Sequence, residues 1–139
     1  MVSPSTARIA GNIATLLFVV IITLQLLLAL GILPVTMAWG GSQTVLTPAL
    51  QLAHVIAALL LAGFAYVIRR RAGLLVRAHP SRLIKILAWV ITGFMFLNTL
   101  GNFASSSTAE KLVFGSLTVV LAIASLLVSA SKSNQSSPT

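Results

Sequence analysis

The amino-acid sequence predicts an all-α fold: four transmembrane helices in an up-down-up-down bundle, with the N and C termini on the cytoplasmic side. Three observations carry this. The 139-residue chain is 58% hydrophobic and only 7% charged, with a mean hydropathy of +1.05, whereas soluble domains are roughly 25% charged. One acidic residue and nine Lys+Arg cannot cover the surface that a soluble domain of this size keeps in water, so lipid must solvate most of the outside. Four apolar runs, each near the roughly 20 residues that cross a bilayer, are separated by short polar stretches. Finally, six of the nine basic residues fall between Arg69 and Lys85, between the second and third runs, as in a cytoplasmic loop.

The first run spans about 9–33, from Ile9 to Leu33 before Pro34. It is longer than the roughly 7–15 residues of a signal-peptide core and no Ala-x-Ala site follows, so an uncleaved helix is expected. Residues 34–47 form a loop containing Trp39-Gly40-Gly41-Ser42. Thr47-Pro48 then reads as an N-cap followed by Pro at the first helical position, opening a second helix at about 48–68. Arg69, Arg70, Arg71, Arg77, His79, Arg82 and Lys85 mark the second loop and the entry to a third helix. That helix is capped by Ser81 and spans about 83–103, with Lys85 snorkelling to the interface. Ser107-Thr108-Ala109-Glu110 matches a capping box and opens a fourth helix at about 109–130. Residues 1–130 are thus one membrane domain, and residues 131–139 a polar, disordered tail.

Orientation follows from charge. Four spans put Arg8, the six loop charges and Lys132 on one side and only Lys111 on the other, eight against one. The multi-pass chain is therefore expected in a bacterial cytoplasmic membrane with its basic loop inside. Trp39 and Trp89 suit interfacial anchoring, although Trp89 lies far enough into its helix to pack inside instead. Small residues at Gly115, Thr118, Ala122, Ser125 and Ser129 share one face of the fourth helix. Such faces let membrane helices approach closely, within the chain, in a homo-oligomer or against a partner membrane protein.

The larger polar side chains inside the apolar runs deserve the closest reading, because polar groups in hydrocarbon are costly. Apart from Asn12 they gather toward the outward ends: Gln25, then Gln51 and His54, then Asn98 and Asn102, then Glu110. At about 1.5 Å per residue, His54 lies roughly 9 Å along its helix, and Asn98 at a comparable depth. If the helices turn these side chains to one axis, they form a polar pocket, with Gln51, His54, Ala58 and Ala62 as its second-helix wall. Such a pocket suits a small polar molecule, a lipid headgroup, a quinone ring or a proton. His54 is its titratable member, with a reference pKa near 6.5, and Glu110 is placed to orient it. The same side chains also suit plain interhelical hydrogen bonding, and Glu110 suits helix capping.

Several chemistries are excluded or disfavoured. Without Cys there is no thiolate nucleophile, Cys-bound zinc or iron–sulfur cluster. With no Asp and one Glu there is no paired carboxylate. No H-E-x-x-H, G-x-S-x-G or Walker A pattern is present. His54 and His79 lie on opposite sides of about 30 Å of hydrocarbon, so they cannot sandwich one heme. No catalytic residue, metal or cofactor is expected, and the protein reads as a non-enzymatic accessory or structural component. The alternative is a binding or transport protein centred on His54. The net charge of +8 does not indicate nucleic acid, because the basic residues are not interleaved with exposed aromatics. Arg69, Arg70, Arg71, Arg77, Arg82 and Lys85 are instead expected to meet anionic lipids, at about 1 kcal/mol each.

Ala38-Trp39-Gly40-Gly41 followed by Leu46 and Pro48, the stretch Asn102 to Ser107, and Glu110-Lys111 together resemble a group of small four-helix bacterial membrane proteins. The resemblance covers the loops and the second to fourth helices. It implies the topology and a bacterial membrane, and no activity. That group is associated with an Arg early in the second helix, where this chain has Gln51. Small multidrug transporters are also four-helix proteins, but they carry an acid in the first helix, which is absent here.

Overall fold

In the computed structural model, which describes residues 2–75 and 80–131, the chain is all-α. The described residues form four long helices: α1 (Pro4–Ala29), α2 (Pro48–Arg71), α3 (Arg82–Ala104) and α4 (Glu110–Ser129). All four are long and apolar enough to cross a membrane. Large apolar side chains such as Leu16, Leu59, Leu97 and Leu112 point outward and are more than half exposed, as a lipid-solvated surface requires.

Local sequence sets the helix ends. Ser3, Thr47 and Ser81 each accept the backbone N–H of the residue three positions on, and Pro4 and Pro48 occupy the first turn, where a missing N–H costs nothing. α1 begins at Pro4, five residues before the expected Ile9, because the Ser3 cap lies upstream of the apolar run. It ends at Ala29 instead of Leu33, because Gly31 takes a left-handed φ of 70° and turns the chain. α2 continues through Arg71 and stops before Gly73, also at φ 70°. The first six residues of α4, Glu110–Gly115, are a π-helical turn. The expected capping box is half made: Ser107 Oγ accepts Glu110 N–H, but the Glu110 carboxylate turns to other partners.

α1 packs extensively on α2 and α4, and α3 on α4, whereas α2 and α3 touch far less. The shared core runs through Ala14, Phe18 and Ile21 of α1, Leu61 and Ile68 of α2, Ile91 and Met95 of α3, and Leu121 and Val128 of α4. The small-residue stripe of α4 faces this core. Thr118, Ala122, Ser125 and Ser129 are each at most 3% exposed, so the stripe serves packing within the chain and is closed to a partner. Gly11 shows the same principle in α1. A Cβ there would lie 2.6 Å from Ala72 Cβ.

The two ends of the bundle are tied differently. At one end the buried guanidinium of Arg71 donates to the carbonyls of Ser129 and Ser131, a cation on the C-terminal carbonyls of α4. Val2 bridges to Ser131, and Arg8 donates to Gly73 O. At the other end the α1–α2 loop is clasped to the turn before α4, and the polar side chains gather there.

Candidate functional site

The loop after α1 makes two short 3-10 turns, Val35–Met37 and Trp39–Gly41. Trp39, Gly40 and Gly41 take φ of 57°, 71° and 73°. Glycine enters this region freely, but Trp39 does so at a cost of about 1–2 kcal/mol. Contacts on both sides of the tripeptide hold it there. Glu110 Oε2 accepts Gly40 N–H at 2.9 Å. Ser106 Oγ donates to Gly40 O, and Ser107 Oγ donates to Thr36 O at 3.0 Å. Gly41 lies so close to Ser107 that a Cβ would fall 3.0 Å from its side chain.

The Trp39 ring turns from this loop onto α2. Its indole Nε1–H donates to His54 Nε2 at 3.2 Å, with the two rings edge-to-face at 5.9 Å. Because Nε2 accepts, the imidazole proton sits on Nδ1 and is donated to Gln25 Oε1, 2.6 Å away. His54, 2% exposed, therefore joins α1, α2 and the loop through one neutral ring with both nitrogens engaged. On α3, Asn102 is buried and donates Nδ2–H to Thr118 Oγ1 at 3.1 Å. Thr118 also back-bonds to Phe114 O.

These groups border one cavity of about 400 Å³. Gln25, His54, Asn98, Asn102 and Glu110, five of the six polar residues singled out from the sequence, line its wall. Apolar and aromatic side chains complete the lining, among them Trp39, Leu61, Phe94 and Phe114. The π turn sets Glu110 and Phe114, one turn apart, on the same wall. Leu60, Phe94 and Asn98 belong both to the wall and to the outer surface. These three lie along the lightly packed α2–α3 seam, and Trp39, also on the wall, is 48% exposed in the loop.

Four expectations need correction. Gln51 is not on the wall. It is exposed and its Nε2 donates to Ala29 O at 3.0 Å, satisfying a C-terminal carbonyl of α1. The α2 wall is Ala53, His54, Ala57, Leu60 and Leu61 instead of Gln51, His54, Ala58 and Ala62, because the bonds to Gln25 and Trp39 fix the rotation of α2. Glu110 does not orient His54; it holds Gly40 N–H and, at 2.6 Å, the Ser105 hydroxyl. Arg71 is buried on α4 carbonyls and so is not offered to lipid, whereas Arg82 and Lys85 are exposed and Arg69 and Arg70 partly so. Arg77, His79, Lys132 and the tail 132–139 lie outside the described residues. Trp89 is 51% exposed and faces outward.

Sequence reasoning missed the Trp39 side chain as part of the site. Its signal was the Trp-Gly-Gly tripeptide: two glycines beside an aromatic residue indicate a tight left-handed turn that fixes where the ring points. No group of three or more His, Cys, Asp or Glu is placed to hold a metal among the described residues. Comparisons with protein-family models, with curated proteins and with solved structures give no match.

Proposed function

We propose that this chain is a non-enzymatic, multi-pass membrane protein that holds a small amphiphilic molecule in the cavity between Trp39, His54, Asn98 and Glu110. The observation that carries the reading is the convergence of five polar side chains on one cavity with apolar walls. An apolar enclosure with a few placed polar groups is the usual form of a small-molecule site, and about 300–1,000 Å³ is its usual size. Among the described residues the lining has a single carboxylate and no pair of them, which supports binding or transport over catalysis.

The topology that goes with this reading is an up-down-up-down bundle in a bacterial cytoplasmic membrane. The termini and the basic loop are inside, next to anionic lipid, and the cavity is toward the outer leaflet. Supporting it, Val2, Arg71 and Ser131 meet at one end of the bundle and Trp39, His54 and Glu110 at the other, and the basic residues favour the first end.

Native mass spectrometry of the protein released from lipid nanodiscs tests the reading. A reproducible bound small molecule is expected on the wild type and should be lost in Ala57→Phe, which adds a ring at the cavity wall and leaves every polar lining residue in the sequence unchanged. A bare chain in both samples would refute it. That result would favour a second reading, a structural or accessory component, which the engagement of both His54 nitrogens in tying helices together supports.

A further inference from the structure

We infer that the ligand of this cavity carries a protonated amine on an apolar body, with the amine against Glu110. The inference rests on the cavity-binding reading above and adds the charge of the ligand. It follows from what the wall offers once its internal bonds are counted. Glu110 is the only acidic residue of the chain. Its hydrogen bonds come from neutral donors, Gly40 N–H and the Ser105 hydroxyl, both to Oε2. Oε1 takes none from the described residues and is not fully buried, and Glu110 lines the cavity, which leaves one carboxylate oxygen to offer a ligand.

The neutral amides of the wall offer acceptors as well as the N–H donors of Gln25 and Asn98, and none of them carries charge. Asn102 donates its amide to Thr118 and keeps Oδ1 as an acceptor. Asn98 makes no side-chain hydrogen bond to the described residues and adds a second amide oxygen at the surface end of the wall. Both nitrogens of His54 are engaged. Among the described residues no Lys or Arg lines the cavity, so an anionic ligand would meet a carboxylate with no compensating cation. A cation instead finds Glu110, amide oxygens, and the rings of Trp39, Phe94 and Phe114, whose faces attract positive charge. Apart from Gln25 and Thr118, the rest of the lining is apolar and suits an apolar body.

The test uses the full chain in nanodiscs with Trp89→Phe, which leaves Trp39 as the sole tryptophan and removes only an outward-facing ring. Phenylbutylamine, phenylbutanol and phenylbutyrate share an apolar body and differ in charge. The amine is expected to change Trp39 emission saturably, the alcohol to bind about tenfold or more weakly, and the acid weaker still, as a charge-assisted bond predicts. Glu110→Gln keeps an acceptor for Gly40 and Ser105 and should bring the amine down to the level of the alcohol. Should that variant fail to fold, the comparison of amine with alcohol on the intact site still decides the matter. An alcohol that binds as tightly as the amine, or amine binding that survives Glu110→Gln, overturns the charge assignment and leaves the cavity reading standing. No saturable response to the amine also overturns it. The mass-spectrometric comparison of wild type with Ala57→Phe then shows separately whether the cavity reading has fallen too.

Discussion

Replacing His54 by Ala tests whether one neutral imidazole organises the polar end of the bundle. The substitution removes two hydrogen bonds, to Gln25 on α1 and to Trp39 in the loop. Side-chain hydrogen bonds between membrane helices average about 0.6 kcal/mol and reach about 1.7, so the pair contributes roughly 1–3 kcal/mol. The ring is 2% exposed, so its loss also enlarges the cavity and adds about 1–2 kcal/mol in lost contacts. The expected destabilisation is about 2–5 kcal/mol, measured as reversible unfolding in mixed micelles. A double-mutant cycle with Trp39→Phe isolates the indole–imidazole bond. It should return a coupling of about 0.5–1.5 kcal/mol, toward the low end because Trp39 is 48% exposed. In a Trp89→Phe background, His54→Ala should also move Trp39 emission, since the ring loses the bond that seats it. Unchanged emission together with a coupling near zero would refute the argument, because the loop would then be held by its backbone contacts alone.

Three further outcomes follow from particular contacts. Gly11→Ala gains about 1 kcal/mol of helix propensity, but its Cβ meets Ala72 Cβ at 2.6 Å. Overpacking costs about 1–3 kcal/mol, so a net loss in thermal stability is expected, whereas Gly63→Ala, with nothing within 4 Å, should be neutral or stabilising. Ser125 Oγ is buried without a partner among the described residues, so Ser125→Ala should leave unfolding stability unchanged or raise it by about 1 kcal/mol; a clear loss would show that the hydroxyl has a partner. Ser42→Cys should react with an impermeant maleimide added outside intact cells and Ser5→Cys should not, both positions being exposed; the reverse pattern would invert the proposed topology.

The helices were legible because their determinants are local. Length and hydropathy find an apolar run, and Thr47-Pro48 and Ser81 mark starts through bonds only three residues long. Helix ends were less legible, since α1 stops at a left-handed Gly31 inside a run that stays apolar to Leu33. Within the site, depth was readable by counting residues, and depth alone places Gln25, His54, Asn98, Asn102 and Glu110 in one layer. Rotation was not readable. Apart from Gln51, helix α2 has small or apolar residues on every side of His54, so periodicity leaves its facing open, and bonds to residues 29 and 15 positions away settle it. Gln51 shows the limit well: it has the right depth and chemistry, yet sits on the face that meets the end of α1.

Glu110 illustrates how one residue can answer a local and a distant demand at once. Three positions after Ser107, a glutamate in a regular α turn is placed to reach back to the cap N–H. Here Ser107 N–H is taken by Ser105 Oγ at 3.0 Å, which removes that partner, and the π turn that follows re-aims the side chain. The carboxylate then reaches across to Gly40 N–H, 70 residues earlier in the chain, and holds the left-handed loop that carries Trp39. Trp39 in turn holds His54, and His54 holds Gln25. One chain of contacts thus runs from the start of α4 through the loop to α2 and α1. It reaches α3 only at its C-cap, through Ser105, and not along the length that packs lightly on α2 and contributes Phe94 and Asn98 to the cavity wall. The side of the cavity left untied by this network is therefore the α2–α3 seam.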